Sequence, residues 1–230
     1  MSSNTELGLI NYSINEKSYY NDETEKNQIY IHSSLFGINP FRLIDHYSRN
    51  ASSPIKTPPM FIITSTPEHV YDNYTDGNVI QVYPSKFWSH HLHLKEAHLV
   101  NGGPGIDTIS RGSISIELCN WGPLIETEHG ICTTTGLYLN DNEVYEFSTP
   151  YRGHKYYNKY TDNQIDNLRK LLVLLGKKWA IDIKFKGNGI FSVDRRALMG
   201  TSGIYCHNSV RPDIADISPQ TNLVEMLNSL

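Results

Sequence analysis

Cysteine is scarce: Cys119, Cys132 and Cys206 are the only three in 230 residues, and none forms a CxxC pair. An odd number at irregular spacing argues against a disulfide framework and fits synthesis in a reducing compartment. Excess positive charge is also missing. Lys and Arg number 20 against 24 Asp and Glu, a formal net charge of −4, and the basic residues are scattered, so no nucleic-acid footprint is expected. No apolar run approaches the roughly 18 residues of a membrane span. The opening "MSSNTELGLINYSINEKSYYNDETEKN" has no apolar core of signal-peptide length. The expectation is a protein made in the cytoplasm without a signal peptide. There is no internal repeat and no low-complexity linker.

What the chain does have is 39% hydrophobic and 11% aromatic residues, enough for one sizeable core. Residues 28–230 read as a single domain, and 1–27 as an N-terminal arm of unknown role. Short β-rich runs come first: "QIYIH" (28–32), "MFIIT" (60–64), "NVIQVYP" (78–84) and "SISIELC" (113–119). A short helix is possible at "PFRLIDHYSRN". In "TDNQIDNLRKLLVLLGKKW" (161–179), Thr161 and Gln164 make a capping box. Ile165, Leu168, Leu171, Leu172 and Leu175 line one stripe there, with Gly176 as the expected stop. A strand at "GIYCHN" (203–208) and a last helix capped by Ser218, with Pro219 at its first position, complete the pattern. Strands interleaved with helices give an α/β class, a mixed central β-sheet flanked by helices.

Alternation orients the chemistry. In "SISIEL", Ile114, Ile116 and Leu118 point one way, and Ser113, Ser115 and Glu117 the other. In "IYIH", Ile29 and Ile31 share a face opposite Tyr30 and His32. A carboxylate and a histidine are thus expected on one open polar face. Ten histidines is a high count, and His46, His69, His98, His129 and His154 fall in polar loops. "WSHHLH" (88–93) is denser, read either as a substrate-side cluster or as a polar rim beside Trp88. "YCHNSVRPDIADISP" (205–219) puts His207 at a strand end, with Asp213 and Asp216 in the loop that follows. Histidine and carboxylate suit zinc, whose catalytic sites take three protein ligands and leave one position for water. A His and an Asp nine apart are a weak signal by themselves, since Asp before a helix is usually a cap.

The order of "IYIHSS", "GNVIQVYPSKFWSHHL", "RGSISIELCNWGPL" and "YCHNSVRPDIADISP" resembles the zinc-dependent N-acetylmuramoyl-L-alanine amidases. That superfamily includes phage lysozyme-type amidases, bacterial anhydro-muropeptide amidases and peptidoglycan recognition proteins. The similarity runs from about residue 28 to the C-terminus. Its most specific element is "SISIELCNWGPL", matching the family's S-I-G-I-E-L strand with Ser115 in place of Gly. A second is the G-x-I-x-Q-x-x-P strand leading to W-x-x-H, here Trp88 and His91. "NWGPL" and "YRGHKYYNKYTDNQ" are similar to phage-borne members.

The resemblance implies an amidase-like catalytic domain with zinc held by His32, His207 and Asp216, Asp213 being the fallback third ligand. It implies Glu117 as general base, and a groove lined by Trp88, His91, Asn120 and Trp121. The implied substrate is bacterial peptidoglycan, cut at the amide between N-acetylmuramic acid and L-alanine, by an endolysin or virion-associated enzyme acting on the cell wall after release or delivery. A catalytically weak or inactive peptidoglycan-binding module of the same fold is the alternative. Two departures stand out. The family's lysine two residues before the third ligand is Ile214 here, with Arg211 a possible replacement. The family's H-Y or H-F strand is "PMFII", which carries no tyrosine.

Overall fold

The structure is a computed structural model that describes residues 9–35 and 37–230; residues 1–8 of the expected N-terminal arm lie outside them. In chain order the first elements are β1 (Leu9–Asn11), β2 (Gln28–Ser33), α1 (Pro40–Arg49), β3 (Phe61–Ile63), β4 (Val79–Gln81), α2 (Ile106–Arg111) and β5 (Ser113–Leu118). They are followed by β6 (Pro123–Thr127), β7 (Gly130–Cys132), β8 (Val144–Tyr151), β9 (His154–Asn158), α3 (Asp162–Trp179), α4 (Arg195–Leu198), β10 (Gly203–Cys206) and α5 (Thr221–Asn228). Six strands form a central mixed sheet in the order β1-β4-β3-β5-β2-β10, in which only β3 and β4 pair antiparallel. Four more form an antiparallel sheet, β7-β6-β9-β8.

The central strands are buried on both faces, as parallel strands usually are. One face is apolar. Ile29 and Ile31 of β2, Ile114 and Ile116 of β5 and Ile204 of β10 share a core with the Leu168, Leu171, Leu172 and Leu175 stripe of α3 and with Leu223 and Leu227 of α5. α3 begins as its capping box dictates: Thr161 accepts from the Gln164 amide, and the Gln164 side chain accepts from the Thr161 amide. It does not stop at Gly176 but runs to Trp179, turning at Ala180 with φ 53°. Gly176 is there for close approach, because a Cβ on it would collide with Cγ2 of Ile183. α5 starts later than expected, with Gln220 as its N-cap. Ser218 is committed elsewhere, since its amide donates to the Tyr160 hydroxyl.

The opposite face is polar but not open. The Ser115 hydroxyl accepts from the Met60 amide, and Ser113 meets His91. The segment around residues 88–94 lies over it. Alternation predicts the polar character of this face; a cover supplied from distant sequence is invisible to it. Residues 9–27 are built into the domain. β1 extends the sheet beside β4, Ile14 and Tyr19 are core residues, and Tyr20 bridges to Trp88. Cys119, Cys132 and Cys206 are buried free thiols, and among the described residues no helix is long and apolar enough to cross a membrane.

Candidate metal centre

Register assembles the site. β2 and β5 run parallel with His32 opposite Glu117, and β10 flanks β2 on its other side. His207 follows directly on the last residue of β10, so both imidazoles sit at the carboxyl ends of adjacent strands. The returning loop brings Asp216, whose Oδ1 accepts from the Ser33 amide. Oδ2 of Asp216 lies 2.8 Å from Nδ1 of His207 and 3.7 Å from Nδ1 of His32. One ligand atom from each of the three residues falls within 4.8 Å of the others, and all three side chains are buried.

Donor chemistry shows that these residues fit a cation. Nε2 of His207 lies 2.9 Å from the Leu92 carbonyl, which can only accept, so Nε2 carries a hydrogen. Nδ1 then faces a carboxylate oxygen. Two lone pairs at 2.8 Å repel unless positive charge sits between them, and a divalent cation would supply it. Burial, then the neighbouring His207, pushes His32 down to about 4, so its ring is neutral and able to ligate. Burial alone would raise Asp216, but the neighbouring His207 foremost, and then His32, overcome it and hold the carboxyl well below the usual range. His32, His207 and Asp216 together could hold a metal ion.

Glu117 is buried beside this group, and burial, then the Asp216 charge, raises its carboxyl well above the ordinary value. No hydrogen bond from a described residue reaches that carboxyl. Tyr47 of α1 was not singled out by the sequence. Burial, then the charges of Glu117 and Asp216, pushes its hydroxyl up. Its helical spacing behind the buried Leu43 and Ile44 was the available signal.

Asp213 stands apart from the cluster. It receives a two-pronged ion pair from Arg211, Nε to Oδ1 and the second nitrogen to Oδ2, each 2.7 Å. Arg211 also donates to the His93 carbonyl, so it is engaged on both sides. Arg152 was equally unforeseen. From the β8–β9 turn, with φ 48°, it donates to the Pro212, Ile214 and Phe191 carbonyls and so clamps the loop that carries Asp216.

The four groove residues scatter. Trp88 stacks on Tyr20, with ring centroids 4.2 Å apart, and donates its indole N–H to Asp22. Asn120 is a buried turn residue whose amide nitrogen donates to the Asn158 carbonyl and whose oxygen accepts from the Gly122 amide. His91 is buried with Nδ1 3.0 Å from Nε2 of His32. Only Trp121 faces a sizeable void. The cavity there is about 670 Å³, bordered among others by Arg42, Glu68, Tyr138, Lys159 and Tyr160. None of the four cluster residues lines it.

No family model matches this sequence, and no curated protein matches it. Among solved structures, the chain is similar to the N-acetylmuramyl-L-alanine amidase AmiD from E. coli, in complex with its substrate anhydro-N-acetylmuramic acid-L-Ala-D-gamma-Glu-L-Lys. The overlap covers 70% of this chain and 46% of that one, at 15% identity and a TM-score of 0.39. The chain thus spans less than half the length of that amidase. A superposition this loose leaves the functional reading to the chain's own residues.

Proposed function

We propose that this protein is a zinc-dependent peptidoglycan hydrolase that cleaves the amide between N-acetylmuramic acid and L-alanine. The observation that supports it best is the convergence of two imidazole nitrogens and a carboxylate oxygen beside a separate, unbonded carboxyl, that of Glu117. Three ligands plus a neighbouring acid–base group is the composition a hydrolytic metal site requires. His32, His207 and Asp216 would hold the cation, which when bound supplies Lewis acidity to the carbonyl and acidifies water.

Glu117 takes the proton of the attacking water and returns it to the leaving amine. Its raised proton affinity suits the first half of that exchange, because a carboxylate of ordinary pKa would take the water's proton less readily. His207, fixed by the Leu92 carbonyl, and Asp216, fixed by the Ser33 amide, keep their ligating atoms aimed inward. Bacterial peptidoglycan is the partner, and we assign the chain to a phage endolysin or virion-associated enzyme on the similarity of "NWGPL" and "YRGHKYYNKYTDNQ" to phage-borne members.

The binding-module reading is favoured by one observation. Ile214 offers no donor to an oxyanion, and Arg211 is tied to Asp213. Digestion of purified peptidoglycan followed by mass analysis separates the two. Stems with a free L-alanine amino end and intact glycan chains are expected. New reducing sugar ends would overturn the bond assignment, and affinity without any cleavage would establish the binding module.

A further inference from the structure

His91 is buried against the far side of the His32 ring from Asp216: it meets Nε2 of His32, whereas Asp216 faces Nδ1. It is therefore out of the ligand set, and its other contact gives its purpose. Nε2 of His91 lies 2.8 Å from the Ser113 hydroxyl, and that hydroxyl lies 3.0 Å from the Ser110 carbonyl. A carbonyl can only accept, and serine has one hydroxyl hydrogen, so Ser113 donates to Ser110. Ser113 must then accept from His91, which puts the hydrogen of the neutral His91 ring on Nε2 and leaves Nδ1 as an acceptor. The facing Nε2 of His32 is consequently the donor, and the electron pair of His32 lies on Nδ1, toward Asp216.

From this geometry we propose that His91 is a positioning residue, the middle link of a one-way hydrogen-bond chain from the Ser110 carbonyl that fixes both the tautomer and the ring orientation of His32. The inference rests on the metal-site reading given above and deepens it. Ligating histidines usually donate their second N–H to a carboxylate or a carbonyl. His207 follows that habit through Leu92, while His32 uses a neutral imidazole instead. The two ligands are thus oriented without adding any negative charge beyond Asp216 and Glu117. The device also explains a serine at position 113: an alanine there would leave His91 free to present either nitrogen.

The test uses the full chain in three forms: wild type, His91→Leu and His91→Asn. Leucine fills the space without an acceptor, whereas the side-chain oxygen of asparagine sits where Nδ1 of histidine does. In metal-free protein, long-range ¹H–¹⁵N correlation of the imidazoles should show His32 with its hydrogen on Nε2 in wild type and His91→Asn, and as a mixture of tautomers in His91→Leu. Titration with Zn²⁺ should give an affinity about 10–100-fold weaker in His91→Leu, largely restored in His91→Asn. Two outcomes overturn the proposal: a single unchanged His32 tautomer in His91→Leu, or equal loss of Zn²⁺ affinity in both folded variants. Failure of the metal reading looks different, because wild type would then bind no Zn²⁺ while the tautomer measurement still decides the role of His91.

Discussion

The His32 cluster and the Trp121 cavity lie at the same end of the sheet, beyond the carboxyl ends of its parallel strands, and they are opposites. Ligands in open α/β sheets gather at that end. The cluster is buried: His32, His207 and Asp216 are each less than 10% exposed. The cavity is about 670 Å³ and walled by aromatic rings and charges of both signs, with no set of convergent metal ligands among the described residues. Under the proposed function, reactivity would lie at the ends of β2, β5 and β10 and recognition on the loops that follow β3 and β5.

The sharpest way to break this division is to remove a ligand. His207→Ala should lower zinc to near zero by elemental analysis and abolish turnover, while ligand binding at the Trp121 cavity survives. Retained zinc would refute the ligand set. Glu117→Gln comes next, with zinc retained and turnover reduced roughly 10²–10⁴-fold, read from metal content and kcat on one sample. Loss of zinc in that variant would make Glu117 a ligand instead of the base.

Lys26, just before β2, serves as a control outside the ligand set and the Trp121 cavity, although its charge reaches His91. Burial, chiefly, pushes its ammonium down to about 7, against 10.5 when free. Between pH 7 and 10 the unfolded chain therefore holds a proton that the folded one lacks, and stability rises with pH. By linkage each unit is worth up to about 1.4 kcal/mol. Chemical denaturation at pH 7 and pH 9 should show that rise in wild type and a flatter profile in Lys26→Met; parallel profiles would exclude Lys26 as its cause. The smallest effect is expected from Trp121→Ala, about a tenfold rise in KM at constant zinc content. No change in KM would remove the cavity from the substrate path.

Part of the cluster, His32 and Glu117, was readable in the chain because strand parity is a local property, whereas His207 and Asp216 as ligands came from the family resemblance. "IYIH" and "SISIEL" place His32 and Glu117 on like faces, and the register of β2 with β5 puts them side by side. Trp88 could not be placed in this way, since its ring and indole N–H are claimed by Tyr20 and Asp22, 68 and 66 residues earlier. The β6–β9 sheet was missed because its strands are partly exposed and mix polar with aromatic residues, with little apolar alternation to mark them. β1 is three residues long and is held by pairing with β4 and by packing of Leu9 and Ile10 against the core.

The contact between Ser33 and Asp216 joins positions 183 residues apart, and that between His207 and Leu92 spans 115. Closing loops of that length costs entropy that is recovered only once the rest of the sheet exists to hold the ends. The cluster is therefore expected to be among the last parts of the molecule to be completed during folding. A cation that recognises only the finished cluster cannot act as a template for the early steps. Its stabilisation falls on the native state, so zinc should slow unfolding and leave the refolding rate nearly untouched.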